Sequence, residues 1–285
     1  MKTYRQTTIR RAEIAQVILL HQLYMQPGSH DLIFQGGTAI RWCYGGSRFS
    51  KDLDFVTPLH PFAVRRILDQ ALNGIEKTMI PHFGVGALKL TDKSKRDDTL
   101  KLYADFHPEA SREKISIKLE FEGLVKDKRP ETKNNVLSSL PAVSYLIAAG
   151  EFRVPRPNAV IVTETSEELL SDKVRSLLER PYLKGRDFYD VWHLRSILNI
   201  EVDPGIVERK FSLYRSSFTA RRAIRDFVAP SAAFMEAMKA AIERDLFRFL
   251  PPEVLAVHRG EGFAVFLEAV QVLFRDVQEK GVSLP

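Results

Sequence analysis

Two aspartates separated by one residue are the side chains in this sequence best suited to chemistry. They are Asp52 and Asp54, and polar and apolar residues alternate around them from Ser50 to Val56. This alternation predicts a β-strand on which Asp52 and Asp54 point to one face. Neighbouring carboxylates repel each other, and Mg²⁺ is usually held by one or two carboxylates together with substrate phosphates. We therefore expect Mg²⁺ or Mn²⁺ to bind at Asp52 and Asp54.

A glycine-rich turn precedes these aspartates. Leu32–Phe34 is predicted to be a short buried strand that ends at Gly36 and Gly37, and Thr38 is predicted to cap the following helix. Backbone N–H groups at such a turn can bind phosphate oxygens, and glycine lets the backbone approach them closely. We expect this turn to bind the triphosphate of an NTP. The expected nucleotide contacts are Gly36, Gly37, Thr38, Arg41, Arg48, Ser50 and, further along the chain, Lys173.

A third carboxylate is a candidate metal ligand. Lys114–Glu122 alternates between apolar and polar residues and is predicted to be a strand with one buried face. If this strand lies beside the Asp-x-Asp strand, Glu120 joins Asp52 and Asp54 on one face. The alternative is that Glu120 belongs only to the solvated face of a sheet.

A second group of charged residues lies in the C-terminal half. It comprises Lys173, Arg180, Arg186, Asp187 and Asp190. Asp187 and Asp190 are three residues apart and share a helix face. A lysine suits phosphate binding, and a carboxylate can accept a proton from an attacking hydroxyl. The alternative is a buried ion-pair network between two helices, which we expect in any case for Arg186 with Asp190.

The elements around these residues predict an α+β fold, with a sheet and helices followed by an all-helical region. The expected domains are residues 1–163 and 164–285. From Ser166 onward the sequence predicts helices only. Before that point the predicted helices are Thr8–Met25 and Pro61–Lys77, the predicted strands are Val85–Leu90, Thr99–Phe106, Ala142–Ala148 and Val160–Val162, and Gly123–Asn135 is a predicted loop.

The motifs resemble those of a known family. Gly-Gly-Thr-x-x-Arg, then Arg-x-Ser-x-Asp-x-Asp-Phe, and later Lys with Arg-Asp-x-x-Asp are similar to the AbiEii/AbiGii (MenT-like) nucleotidyltransferase toxins, over roughly residues 30–200. The resemblance implies a polymerase-beta-like nucleotidyltransferase domain, with a mixed sheet flanked by helices, and a helical domain that completes the active site. It further implies that Lys173 binds nucleotide phosphates, that Asp187 is a catalytic acid, and that Asp190, Arg180 and Arg186 support them.

The function implied by the resemblance is Mg²⁺-dependent transfer of a nucleotidyl group from an NTP to an acceptor. The favoured acceptor is tRNA, and the protein would be the toxin of a bacterial toxin–antitoxin pair, neutralised by a separately encoded antitoxin. One alternative is the same chemistry on a small molecule or on a protein. Another is a nucleotide-binding module without catalytic activity.

Composition permits a polyanionic partner and gives no sign of a membrane protein. The net charge is +6 and the isoelectric point is near 9.3. No apolar run reaches the ~18 residues that a membrane span needs, and no secretory signal peptide is recognisable. A single cysteine, Cys43, excludes an intrachain disulfide and is typical of a reducing compartment. We therefore expect a cytoplasmic protein.

Overall fold

A computed structural model describes residues 5–95, 99–153 and 156–285. The chain divides into two compact units. The sheet unit comprises Arg5–Gly45 and Ser50–Glu164, and the helical unit comprises Gly46–Phe49 and Thr165–Pro285. The four residues Gly46–Phe49 therefore belong to the helical unit, although the sequence on both sides of them belongs to the sheet unit.

The sheet unit contains four α-helices and seven strands in its described residues. The helices are α1 (Gln6–Tyr24), α2 (Gly36–Cys43), α3 (Pro61–Phe83) and α4 (Pro141–Ala148). The strands are β1 (Ile33–Gln35), β2 (Leu53–Thr57), β3 (Gly86–Asp92), β4 (Thr99–Pro108), β5 (Ile115–Gly123), β6 (Thr132–Val136) and β7 (Val160–Glu164).

The seven strands form one mixed sheet in the order β3-β4-β5-β2-β1-β7-β6. β2 and β5 are parallel, as are β1 and β7, whereas the other neighbours are antiparallel. Helices α1 and α3 contact each other and pack on the sheet. On that side, Phe34, Phe55 and Phe121 form a buried aromatic row. The opposite face of β2 and β5 is only partly covered, and the acidic side chains lie there.

The helical unit contains seven α-helices in its described residues. They are α5 (Ser166–Glu179), α6 (Gly185–Trp192), α7 (Pro204–Leu213), α8 (Ile224–Val228), α9 (Ala232–Leu246), α10 (Pro252–Gly260) and α11 (Ala264–Glu279). Helix α6 lies at the centre and packs against α5, α9 and α11. At its first residue, Gly185, any Cβ would overlap the Ala241 carbonyl, so glycine is required for α6 to approach α9.

The α+β class, the mixed sheet and the helical C-terminal region are confirmed. Two local predictions are wrong. Residues 142–148 form a helix rather than a strand, because Pro141 occupies its first turn and a short apolar run does not distinguish the two structures. The predicted loop 123–135 contains most of β6, a polar edge strand that pairs only with β7. Within the described residues no helix is both long and apolar enough to cross a membrane.

Candidate active site

Asp54 occupies the middle of a row of residues that crosses four strands. In the sheet register it pairs with Gln35 of β1 on one side and with Glu120 of β5 on the other. Glu120 pairs in turn with Lys101 of β4. The strand that carries Glu120 therefore lies beside the Asp-x-Asp strand. The sequence analysis required this arrangement for Glu120 to share a face with Asp52 and Asp54. Asp52 directly precedes β2.

A lysine that the sequence analysis did not single out lies among these acids. Lys118 Nζ is 2.9 Å from Asp52 Oδ2 and 2.8 Å from Glu120 Oε2. Burial disfavours the Lys118 ammonium, but Asp54, Asp52 and Glu120 outweigh burial and raise its pKa. Burial likewise disfavours the Glu120 carboxylate, but Lys118 and Lys101 outweigh it and lower the pKa of Glu120. The sequence could have indicated this contact, because Lys118 is two residues from Glu120 and therefore lies on the same face of β5.

The carboxylates suit a two-ligand metal site better than a three-ligand one. In the described parts of the chain, no three His, Cys, Asp or Glu side chains are grouped to hold a metal ion. Glu120 is paired with two lysines, Lys118 and, at 3.5 Å, Lys101, whereas among the described residues Asp52 is paired with Lys118 alone. Asp52 and Asp54 both act on the Lys118 ammonium, which places them on one side of the strand. Two carboxylates with substrate phosphates are sufficient for Mg²⁺.

Gly36 brings the start of α2 against Asp54. Its φ is +76°, in the left-handed region, and a Cβ there would lie 3.0 Å from Asp54 Oδ2. Glycine is thus required both by the backbone conformation and by the contact. The N-cap residue Gln35 makes no side-chain hydrogen bond to the first turn of α2. The backbone N–H groups of this turn therefore receive no side-chain cap from Gln35, and they lie beside Asp54, a candidate catalytic residue.

The predicted role of Thr38 as a helix cap is wrong. Helix α2 begins at Gly36, so Thr38 is its third residue, fully buried. The Thr38 hydroxyl donates to the Asp52 carbonyl and shares a 2.8 Å hydrogen bond with the hydroxyl of Ser50. Ser50 is also buried, and its phosphate contact stays a prediction. In the structure both residues hold the backbone that leads to Asp52.

The two arginines predicted to contact nucleotide are paired with carboxylates. Arg41 Nε lies 2.7 Å from Glu13 Oε1, so a phosphate would have to compete with this ion pair. Arg48 is buried, and its Nε and Nη2 each lie 2.6 Å from an oxygen of Asp190. Burial disfavours the Arg48 charge, but Asp190 outweighs burial and raises the pKa of Arg48. Arg48 is thus held in a buried ion pair, and its phosphate contact stays a prediction.

The charged residues of the helical unit form one buried network. Lys173 Nζ lies 3.1 Å from Asp187 Oδ1 and 2.7 Å from Asp190 Oδ2. Arg180 binds the second oxygen of Asp187. Burial disfavours the Asp187 charge, but Arg180 and Lys173 outweigh burial, and its pKa lies well below the usual range. Three cations, counting Arg48, thus surround two carboxylates.

The prediction that Arg186 forms an ion pair with Asp190 is wrong. Asp190 pairs with Arg48 and Lys173. The Arg186 guanidinium lies over the ring of Phe249, 4.8 Å from its centroid. No local sequence signal indicated that Arg48, which is 142 residues from Asp190, would take this place.

The fold is similar to two solved structures from Helicobacter pylori. One is JHP933, with a TM-score of 0.56 and 15% identity, covering 98% of this chain and 96% of that one. The other is described as a candidate nucleotidyltransferase, with a TM-score of 0.54 and 15% identity, covering 97% and 98%. The comparison with curated proteins gave no match.

A family comparison covers most of the chain. Residues 17–270 match the family described as "Nucleotidyl transferase AbiEii toxin, Type IV TA system". This range includes the glycine turn, both aspartates and the charged network of the helical unit. Nucleotidyl transfer uses an NTP as substrate, and a toxin–antitoxin system implies an antitoxin as partner. The chain therefore belongs to the AbiEii family of nucleotidyltransferase toxins of type IV toxin–antitoxin systems.

Proposed function

We propose that this nucleotidyltransferase is Mg²⁺-dependent and transfers its nucleotidyl group to RNA, with tRNA as the favoured acceptor. The observation that carries the proposal is the contact of Gly36 with Asp54, where a Cβ would lie 3.0 Å from a carboxylate oxygen. This contact supports the proposal because a glycine turn of the kind that binds phosphate lies beside an acid of the kind that binds Mg²⁺. The reaction forms a bond between an acceptor hydroxyl and the α-phosphorus, and it releases pyrophosphate.

Asp52 and Asp54 would hold the metal. A bound Mg²⁺ would neutralise phosphate charge and orient the phosphates for in-line attack. The role of the chain itself is to fix the two carboxylates. Thr38 does so for Asp52 through its backbone carbonyl, and Gly36 does so for Asp54 by leaving space for its side chain.

The turn at Gly36, Gly37 and Thr38 would bind the triphosphate through backbone N–H groups. These groups are suited to this role because the N-terminus of α2 has no side-chain cap and carries the positive end of the helix dipole. The fully buried Thr38 side chain is excluded from this role, so only its backbone can contribute.

Replacing Gly36 with alanine should damage transfer far more than replacing Gly45. Both glycines have a left-handed φ, +76° and +70°, so each alanine costs about 1 kcal/mol of backbone strain. Only the alanine at 36 meets Asp54, whereas at 45 no atom lies within 4 Å. We expect similar losses of stability in urea unfolding but a further tenfold or greater loss of kcat/KM for Gly36→Ala. Equal activity in the two variants would contradict the role of this contact.

In the helical unit, Lys173 is proposed to bind phosphate oxygens of the nucleotide. Its ammonium is already oriented by Asp187 and Asp190. The lowered pKa of Asp187 makes this carboxylate a weak proton acceptor at neutral pH. We therefore propose that Asp187 acts mainly by holding Lys173 and Arg180, while proton acceptance by Asp187 stays a prediction.

The net positive charge of the chain supports an RNA acceptor. The chain carries a net charge of +6, and such a protein attracts polyanions at low ionic strength. To test the acceptor, the purified protein is incubated with each α-³²P-labelled NTP, Mg²⁺ and total RNA, and the products are separated on a denaturing gel. We expect a labelled band of tRNA size with at least one NTP, and no label when EDTA is added.

The other acceptors give different results in the same experiment. Label on protein, or on small metabolites when these replace RNA, would overturn the RNA assignment but retain the enzyme activity. Label that persists in EDTA would overturn the metal requirement. Absence of label in a folded sample, with every NTP and acceptor, would favour the nucleotide-binding alternative.

A further inference from the structure

A lysine-rich cleft lies on the open face of the sheet, beyond the acids. Its volume is about 570 Å³. Thr99, Lys101 and Tyr103 are alternate residues of β4 and therefore point into it from one face. The full lining comprises Lys93, Lys95, Thr99, Lys101, Tyr103 and Glu120.

The described lining of the cleft carries an excess of positive charge. Among the lining residues that the structure describes, three lysines face one carboxylate, Glu120, and Lys101 lies 3.5 Å from it. Lys93 and Lys95 are exposed, and neither forms an ion pair with any residue that the structure describes. Unpaired ammonium groups around a cleft favour a ligand with several negative charges.

The backbone that carries these lysines is fixed to the sheet. The Lys93 N–H donates to the Lys101 carbonyl at 2.8 Å. The Lys101 N–H donates to the Ser94 hydroxyl at 2.9 Å. These hydrogen bonds fix the backbone positions of Lys93 and Lys101 relative to the sheet. Tyr103 is half-buried and lines the cleft, and among the described residues no other aromatic ring stacks on it.

The position of the cleft separates it from the expected nucleotide site. Along the sheet, β1 and Gly36 lie on one side of Asp54, and β5 and β4 lie on the other. Because neighbouring strands are about 4.8 Å apart, Lys101 is about 10 Å from Asp54, two strands away. The cleft thus flanks the acids on the side opposite the glycine turn, where the second substrate of a transfer reaction can approach.

We propose that this cleft binds a single-stranded segment of the acceptor RNA. Lys93, Lys95 and Lys101 contact backbone phosphates, and the Tyr103 ring stacks on a base. The inference rests on the proposed function, because it assumes an RNA acceptor. A single-stranded RNA fits these lysines and this ring together, since it combines regularly spaced phosphates with exposed bases. An acidic peptide would satisfy the lysines but would leave the tyrosine ring without a planar partner.

The test measures binding of a short fluorescein-labelled single-stranded RNA by anisotropy, without NTP, over a range of salt concentrations. The test variant is Lys93→Gln with Lys95→Gln, and the matched control is Arg66→Gln with Lys77→Gln. The control removes the same charge from α3, which packs on the other face of the sheet. We expect the test variant to bind about tenfold more weakly, and its log–log salt slope to fall by about 1.4, which is about 0.7 for each lost phosphate contact. The control should bind as the native protein does.

A second variant separates stacking from charge. Tyr103→Leu keeps an apolar side chain on β4 and should weaken RNA binding by about fivefold or more, with an unchanged salt slope. Binding of a fluorescent NTP should be unaffected in both cleft variants, because the cleft does not belong to the glycine turn. A loss of NTP binding equal to the loss of RNA binding would assign the cleft to the nucleotide and overturn the proposal.

The proposal can fail separately from the proposed function. If native protein labels RNA but the cleft variants bind RNA as well as the control does, the cleft proposal is wrong and the RNA acceptor stands. If native protein neither binds nor labels RNA, the RNA acceptor is wrong and the cleft proposal falls with it.

Discussion

Asp54→Asn is expected to reduce nucleotidyl transfer by at least about a thousandfold. The variant retains the size and shape of the side chain against Gly36 but removes the charge that would hold the metal. Loss of metal-assisted charge stabilisation is worth several kcal/mol, and about 4 kcal/mol corresponds to a thousandfold change in rate. The measurement is the initial rate of label transfer from the α-³²P-labelled NTP that gives the strongest signal with native protein.

The control for this variant is Asp69→Asn. Asp69 lies on α3 with its side chain about half exposed and forms only a surface ion pair with Arg65. Such a pair contributes little to stability, so activity and unfolding should match those of native protein. If Asp54→Asn has the native fold by circular dichroism and also has native activity, the assignment of Asp54 to the reaction is wrong.

Lys210→Met is expected to lower the free energy of unfolding by about 3 kcal/mol. Lys210 is fully buried in α7, and its Nζ lies 2.9 Å from both Glu168 Oε2 and Asp172 Oδ2. Removing one partner from a buried ion pair leaves buried charge that is less well compensated, which costs about 3–5 kcal/mol. Arg209 still contacts Glu168, so we expect a value near the lower end of this range.

The two tryptophans allow this loss to be assigned to the correct unit. Trp192 lies in the helical unit and Trp42 in the sheet unit. In a Trp42→Phe background, urea unfolding followed by fluorescence reports on the helical unit alone. The matched control is Lys239→Met, which removes a partly exposed lysine that pairs with the exposed Glu236. A difference below about 1 kcal/mol between the two variants would contradict a structural role for the Lys210 network.

Most of the sheet could be predicted from sequence because its strands are patterned. β5 alternates buried and partly exposed residues along its whole length, and the alternation gave the correct face for Glu120. β6 could not be predicted in this way, since its residues Thr132–Val136 are mostly polar and its strand character comes from pairing with β7. Helix α4 was ambiguous because eight residues are compatible with either a strand or a helix.

The candidate residues were found more readily than their partners. Local motifs identified Asp54, Lys173 and Asp187, since each belongs to a short pattern of fixed spacing. The partner of Asp190 was missed because Arg48 is remote in sequence, and only the tertiary fold brings the two together. Charge type alone suggests phosphate binding for any arginine near a glycine turn. The sequence does not reveal that Arg48 is buried, with its guanidinium paired with a carboxylate.

The lysine between Asp52 and Glu120 has a consequence for when this protein can fold. Carboxylates gathered on one strand face repel one another unless a cation lies between them. Here Lys118 supplies a covalently attached positive charge, with its ammonium within 2.9 Å of both acids. Folding of the sheet unit therefore need not wait for a metal ion. A newly synthesised chain can then reach its native structure without magnesium, and under the proposed function a supply of metal would be needed for activity rather than for assembly.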